Sequence, residues 1–390
     1  MKILFLTYYF EPDLCAGSFR NTSLFKEVTK MIQSDDKIDV ITTQPNRYDS
    51  YQVTAKKVEN IGENINIYRI KIPNHKSGFL GQIKSFKAFY FEAIKIAKQG
   101  NYDLVYASSS RLFTAFLGAR IAQKNNAKLY LDIRDIFRES IMDIFKNSFV
   151  KFGLNLFLKP IENYTFRRAN HINLVSKGFE SYFKKFDKST FSFFTNGIDD
   201  VFLNQSLEHN VENKEKQTIL YAGNIGEGQG LDIVLPLAAK ALESNYNFIV
   251  IGDGGAKQKL IEEIRINEIT NIEIYNPMNR DLLIKEYHKA DFLFLHLNKH
   301  KAFERVLPSK LFEYGTFSKP IIAGVGGYAA EFIKENMLNT ILFNPGNHHE
   351  LVKKLNQYDY TEIKREDFIN KFSRKEINEK MAKSLFSLLR

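Results

Sequence analysis

The sequence predicts an α/β protein built from two doubly wound parallel sheets, and three observations carry that prediction. The chain has 390 residues, more than one ordinary domain and close to two. Short β-rich runs alternate with longer helical patterns along its whole length, as parallel sheets covered on both faces require. The alternation restarts near residue 218, after the polar, charged stretch Asn204–Gln217. Two such sheets are expected to face each other across a cleft, with ligands bound outside the carboxyl ends of the strands.

The runs can be taken in order. In the first half they are Ile3–Tyr8, Ile38–Thr42, Ile65–Ile70, Leu104–Ala107, Lys128–Asp132, Ile172–Val175 and Phe191–Phe194. In the second half they are Ile219–Ala222, Phe248–Ile251, Ile272–Tyr275, Phe292–Leu297, Ile321–Ala323 and Ile341–Phe343. The opening run stops at Glu11-Pro12-Asp13 without a small-residue cleavage site, so it reads as a buried strand rather than a signal peptide. From about Arg365 the chain reads as one charged helix, with Ile369, Phe372, Ile377, Met381, Leu385, Leu388 and Leu389 spaced for one face.

Composition narrows the functional classes. A hydrophobic fraction of 44% and a charged fraction of 26% exclude wholesale disorder. Cys15 is the only cysteine, which excludes an intrachain disulfide framework and fits a reducing compartment. No charge-free apolar run reaches the length of a membrane span. The net charge of +10 is uneven: residues 1–197 hold 30 Lys and Arg against 18 Asp and Glu, and the remainder 25 against 27. A basic half points to an anionic partner, nucleic acid or phospholipid; an uneven Lys-rich composition is the plainer alternative.

Three constellations could carry chemistry. The turn after the first run, from Glu11 to Arg20, places Gly17 at a strand-to-helix junction, where backbone can approach a bound group and the helix start attracts anions. It lacks the G-x-G-x-x-G dinucleotide fingerprint, and a structural glycine turn is equally compatible. Gly223-Asn224-Ile225-Gly226-Glu227-Gly228-Gln229-Gly230 follows a strand and precedes the apolar run Leu231–Ala239. Four glycines in eight residues suit a phosphate cradle, although the Gly-Lys-Ser/Thr ending of a P-loop is absent. Gly252-Asp253-Gly254-Gly255 repeats the pattern one unit later, and Gly324-Val325-Gly326-Gly327 adds another such loop.

The third constellation is the most specific. Phe303-Glu304-Arg305-Val306-Leu307-Pro308-Ser309-Lys310-Leu311-Phe312-Glu313-Tyr314 follows a strand and the segment His296–Lys301, with Pro308 marking a helix start. Lys310 and Glu313 are three apart and share a helix face. Amides and a lysine at a helix start suit a diphosphate, and a carboxylate one turn deeper suits ribose hydroxyls. A solvated Lys–Glu pair is the alternative.

The ordered set of motifs resembles a GT-B glycosyltransferase, most similar to family 4 of the retaining enzymes, over essentially the whole chain. Its pieces are Glu11-Pro12 with Gly17, Leu131-Asp132-Ile133-Arg134-Asp135, Ala169-Asn170-His171 to Ser176-Lys177-Gly178-Phe179, and Asn196-Gly197-Ile198-Asp199. They continue with Tyr221-Ala222-Gly223-Asn224, Gly252-Asp253-Gly254, Ala290-Asp291 and Pro308-Ser309-Lys310-Leu311-Phe312-Glu313-Tyr314. The last form is similar to the branch with bacterial O-antigen and capsule transferases, including those moving N-acetyl-fucosamine-type sugars.

The resemblance implies two Rossmann-like domains: 1–200 facing acceptor and membrane, and 201–365 binding the nucleotide-sugar. Residues 366–390 then form a helix packing back on the first domain. It implies retaining, metal-independent transfer from a UDP-sugar, an N-acetyl-6-deoxyhexosamine being one candidate, to a lipid-linked saccharide in surface-polysaccharide synthesis. No cofactor is implied, since the UDP-sugar is a substrate; the location implied is the cytoplasmic side of the inner membrane. Without a metal, charge on the leaving group must be met by Lys, Arg and helix starts. Donor-binding residues are then Gly17, Gly223, Asn224, Gly226, Gln229, Gly252, Pro308, Ser309, Lys310 and Glu313. Candidate catalytic residues are Arg134, Asp135, Glu304 and Arg305.

The chain also departs from the family pattern. Of two glutamates usually eight positions apart, the second maps to Glu313, but the first falls on Arg305, with Glu304 one position off. Asn224 and Gln229 stand where relatives often carry Arg and Lys, leaving Lys310 and Arg305 as substitute cations. No histidine occupies Ala107-Ser108-Ser109-Ser110. Asp135 either orients an acceptor hydroxyl or caps a helix, and the leaving phosphate can itself take the acceptor proton. A GT-B sugar-nucleotide epimerase and a degenerate nucleotide-sugar-binding subunit are the competing readings.

The basic half carries two Lys/Phe-rich segments. Lys76–Lys98 interleaves Phe79, Leu80, Ile83, Phe86, Phe89, Tyr90 and Ile94 with Lys84, Lys87 and Lys95. Phe145–Phe157 mixes Phe149, Phe152, Leu154 and Leu156 with Lys146 and Lys151. Either segment suits an anionic membrane interface or a core-facing helix with a solvated basic back. Lysines near anionic lipid are attracted by about 1 kcal/mol each, and no nucleic-acid-binding module is recognisable, which favours the membrane.

Overall fold

The computed structural model describes residues 1–46, 53–73, 79–109, 112–145, 147–203 and 215–389. Lys76, Ser110, Lys146 and most of Asn204–Gln217 lie outside these residues, and the side chains of Phe79 and Leu80 are not described. The chain divides into two units, Met1–Asn196 with Arg374–Arg390, and Gly197–Ser373.

Among the described residues the first unit is built on eight strands: β1 (Lys2–Leu6), β2 (Lys37–Thr43), β3 (Val58–Ile61), β4 (Ile65–Ile70), β5 (Leu104–Ser109), β6 (Lys128–Ile133), β7 (His171–Leu174) and β8 (Thr190–Ser192). Their order in the sheet is β3-β4-β2-β1-β5-β6-β7-β8. Only β3 is antiparallel to its neighbour. The central strands are apolar without alternation because both faces are covered. Ile3, Phe5, Val40 and Tyr106 pack with Leu24, Phe25 and Val28 of the helix Ala16–Thr29 on one side. Met381, Ala382 and Leu385 of the last helix join that same core.

The tail differs from the single helix read in the sequence. It forms two helices, Glu366–Lys371 and Arg374–Phe386. Ile198 donates its N–H to the Phe372 carbonyl at 2.7 Å, and Ile198 and Ser373 form a parallel bridge. That pairing takes the backbone out of helical geometry. Phe368 and Phe372 are buried in the second unit, while Met381 and Leu385 are buried in the first.

Among the described residues the second unit has six parallel strands: β9 (Gln217–Asn224), β10 (Tyr246–Asp253), β11 (Ile272–Tyr275), β12 (Phe292–His296), β13 (Ile321–Gly324) and β14 (Thr340–Phe343). Their order is β11-β10-β9-β12-β13-β14. Alternate residues feed two cores, one on each face. Ile219, Tyr221, Phe292 and Phe294 enter one core; Leu220, Ala222, Leu293 and Leu295 enter the other. The strand order reverses between β9 and β12, so the crevice beyond their carboxyl ends is where such a sheet takes a ligand.

Candidate nucleotide-diphosphate site

Two loops border that crevice, one after β9 and one after β12. The β9 loop is closed by its own amides: Asn224 Nδ2 donates to Gln229 Oε1 at 2.8 Å, and the Gly226 N–H donates to the same oxygen at 3.2 Å. Tyr221 donates its hydroxyl to the Asn224 carbonyl at 2.6 Å. Gly252 is required by the close approach of β10: a Cβ there would lie 1.9 Å from the Gly223 carbonyl oxygen. The Gln229 and Asn224 side chains thus hold the loop in shape rather than projecting charge.

The cation is brought in by the short helix Lys310–Tyr314, which begins two residues after Pro308. Pro308 and Ser309 supply the carbonyls of its first turn, accepting from the Leu311 and Phe312 N–H groups. A Cβ on Gly223 would sit 3.3 Å from Lys310 Cε, so the side chain lies directly over the loop. Lys310 Nζ donates to Glu313 Oε2 at 2.9 Å and to the Tyr287 hydroxyl at 3.3 Å. Tyr287 in turn donates to Glu313 Oε2 at 3.2 Å. Burial first, and the Glu313 carboxylate second, push the Tyr287 hydroxyl well above its ordinary range, so it remains a neutral donor.

An ammonium has three donors and a carboxylate two oxygens. Among the described residues, Lys310 therefore keeps one open N–H and Glu313 Oε1 has no partner. This pair is a ready site for an anionic oxygen beside a hydroxyl.

His296, at the end of β12, ties the β9 loop to the turn after β14. Gly346 donates its N–H to Nε2 at 2.8 Å, leaving Nδ1 as the protonated nitrogen, which donates to the Gln229 carbonyl at 2.6 Å. Burial pushes its pKa down to about 4. The other side of the crevice is the turn Lys301–Arg305. Phe303 touches Gly228, and a Cβ on Gly327 (φ +52°) would lie 2.1 Å from the Glu304 carbonyl. Glu304 is exposed and Arg305 half-buried.

Gly17, Arg134 and Asp135 belong to the first unit. A Cβ on Gly17 would lie 2.3 Å from an Arg134 terminal nitrogen, so the guanidinium crosses the start of the helix Ala16–Thr29 through the space a side chain there would take. Burial lowers the Arg134 pKa. Asp135 accepts from the Ser140 hydroxyl at 2.9 Å, and burial raises its pKa. Beneath them, Arg20 pairs with Asp132 through two bonds of 2.8 and 2.9 Å, both side chains fully buried. Asn173 and Tyr106 also donate to Asp132.

Sequence reasoning missed His296, Tyr287 and the Arg20–Asp132 pair as organising groups. His296 stood at the end of an apolar run, the one available signal; Tyr287 lay inside an ordinary helical pattern. Among the described residues, no group of three or more His, Cys, Asp or Glu is placed to hold a metal ion.

Two doubly wound sheets with this crevice define a GT-B fold, and the comparisons agree. Residues 204–375 match the family model described as Glycosyl transferases group 1. Over 96 residues the chain is 34% identical to the putative colanic acid biosynthesis glycosyl transferase WcaI of Escherichia coli (strain K12), a match spanning 25% of this chain and 23% of that protein. Sucrose-phosphate synthase (tll1590) from Thermosynechococcus elongatus superimposes with a TM-score of 0.71 at 12% identity, covering 100% of this chain and 99% of the other. Anabaena Alr3699/HepE, solved in complex with UDP-glucose, gives a TM-score of 0.67 at 16% identity over 99% and 100% of the two chains.

Proposed function

We propose that the protein is a glycosyltransferase that moves a sugar from a UDP-sugar to a lipid-linked saccharide in surface-polysaccharide synthesis, working at the inner face of an anionic membrane. The observation that carries this reading is the Lys310–Glu313–Tyr287 triangle lying over the Gly223 loop at the switch point of the second sheet. The open Lys310 N–H meets a diphosphate oxygen, and Glu313 Oε1 accepts from a ribose hydroxyl. The UDP-glucose bound by Alr3699/HepE and the similarity to WcaI, a putative colanic acid biosynthesis glycosyl transferase, support the donor class and the pathway class.

In the reaction, the bond from the sugar C1 to the diphosphate oxygen breaks and a bond from C1 to the acceptor oxygen forms. The departing phosphate takes the acceptor proton, so retention needs no separate base. Lys310 stabilises the charge that builds on the leaving group, and no metal is needed for that role. Arg134 and Asp135 of the first unit are assigned to the acceptor, and Arg305 to a supporting cation with Glu304 beside it.

A binding subunit without transfer is the second reading, because Asn224 and Gln229 are neutral amides, with Asn224 donating to the Gln229 oxygen, and supply no charge to the loop. UDP-sugars are tested by thermal shift and then by transfer to lipid-linked acceptors. Donor-dependent stabilisation with transfer supports the first reading; stabilisation without transfer across the acceptor panel favours the second.

A further inference from the structure

The helix Ser148–Phe166 is turned inside out over its first three turns. Its buried side carries Leu158, Glu162, Thr165 and Phe166, and Glu162 accepts from Arg138 at 3.2 Å and from the Tyr182 hydroxyl at 2.5 Å. Its outward side carries Phe149, 89% exposed, Phe152, 71%, Leu156, 68%, and Phe157, 59%. A solvent-facing helix normally shows the reverse pattern, and a contiguous apolar patch of this kind marks an interaction surface.

Its neighbours supply the chemistry of the partner. The helices Phe79–Ala97, Leu112–Asn125 and Ser148–Phe166 lie side by side, linked by the stacked rings of Tyr90 and Phe116 at 6.4 Å and by Phe116 against Tyr164 at 5.4 Å. The first of them turns Phe86 and Phe89 inward against Tyr8. Lys84, Lys87, Lys95 and Lys98 are left exposed around Glu92, and Arg120 and Lys124 of the next helix are exposed as well. The first unit as a whole holds 35 Lys and Arg against 20 Asp and Glu.

We propose that this helical layer is a docking face for an anionic bilayer, with Phe149, Phe152, Leu156 and Phe157 entering the acyl boundary and the lysine faces resting on headgroups. It deepens the membrane part of the reading above, and rests on it only for the reason to be at a membrane. Charge complementarity selects the occupant: a second copy of so basic a unit repels this face, whereas anionic lipid attracts it. Among the described residues no helix is long and apolar enough to cross a membrane, so the contact is interfacial.

The test uses the full chain and vesicles of phosphatidylglycerol with phosphatidylcholine, against phosphatidylcholine alone. The wild type is expected to float with the anionic vesicles and to be released by salt. Joint substitution Phe149→Ser, Phe152→Ser, Leu156→Ser and Phe157→Ser is expected to lower binding at least tenfold while UDP binding is unchanged. The chain has no tryptophan, so Phe152→Trp gives a single reporter. Its emission should shift blue and be quenched by brominated lipid, whereas exposed Tyr275→Trp in the second unit should not respond. No flotation, an unmoved Phe152→Trp signal on floated protein, or a dimer dissolved by the same serine substitutions would overturn the proposal. Flotation by a protein that neither binds nor transfers UDP-sugars would sink the transferase reading and leave this one standing.

Discussion

Among the described residues, Lys310 keeps one N–H and Glu313 one carboxylate oxygen open, while their other bonds go to Tyr287 and to each other. Loss of a charge-assisted bond costs about 1.5–3 kcal/mol, so Lys310→Ala is expected to weaken UDP binding roughly tenfold or more, read by calorimetry. Unchanged affinity would remove the lysine from the site. His296 gives a pH prediction. Burial holds its pKa at about 4, below the ordinary 6.5, so the unfolded chain binds more protons between those values. Its stability contribution is complete above about pH 6.5 and is lost as pH falls toward 4, about 3 kcal/mol in all. His171 in the first unit has the same direction and the same value. Urea midpoints between pH 7.5 and pH 4.5, roughly spanning this window, should fall for the wild type and fall less for His296→Gln. Lys310 and Glu313 were legible because their spacing is local, whereas Tyr287 and His296 act through partners 23 to 67 residues away, which no local pattern records.

Strands and glycines show the same division between local and distant causes. The parallel strands are readable because burial on both faces leaves unbroken apolar runs such as Ile3–Leu6. β3 is not, since Val58–Ile61 is an exposed edge with no buried side chain, so nothing selects an apolar pattern there. The apolar spacing of the tail continues through Phe372 as in one helix, and the Ile198–Ser373 bridge, a contact between distant residues, breaks it. Glycine position matters more than glycine count. Gly252→Ala drives a Cβ to 1.9 Å from the Gly223 carbonyl, so a loss of more than about 3 kcal/mol is expected, with weaker UDP binding as the loop shifts. Gly153→Ala, on an exposed helix face with nothing within 4 Å, should instead stabilise by about 0.5–1 kcal/mol. Chemical denaturation separates the two.

At the scale of the whole molecule the charge asymmetry follows the fold. The second unit holds 20 Lys and Arg against 25 Asp and Glu, so the excess positive charge belongs wholly to the first unit. The sequence located the charge in one half but could not say which helix faces water, because Lys/Phe patterns serve a core-facing helix and an interfacial one alike. In the first segment Phe86 and Phe89 face the core; in the second Phe149 and Phe152 face outward. Adding salt should therefore reduce membrane binding without changing UDP affinity in the same proportion.

The central claim is that the Lys310–Glu313 crevice binds a UDP-sugar for transfer. It is tested most directly by following label from a panel of UDP-sugars into lipid-linked acceptors, for the wild type and Lys310→Ala. The account predicts transfer from at least one donor by the wild type and a loss of about tenfold or more in the variant. Transfer that is equally fast in both, or none from any UDP-sugar, would contradict it.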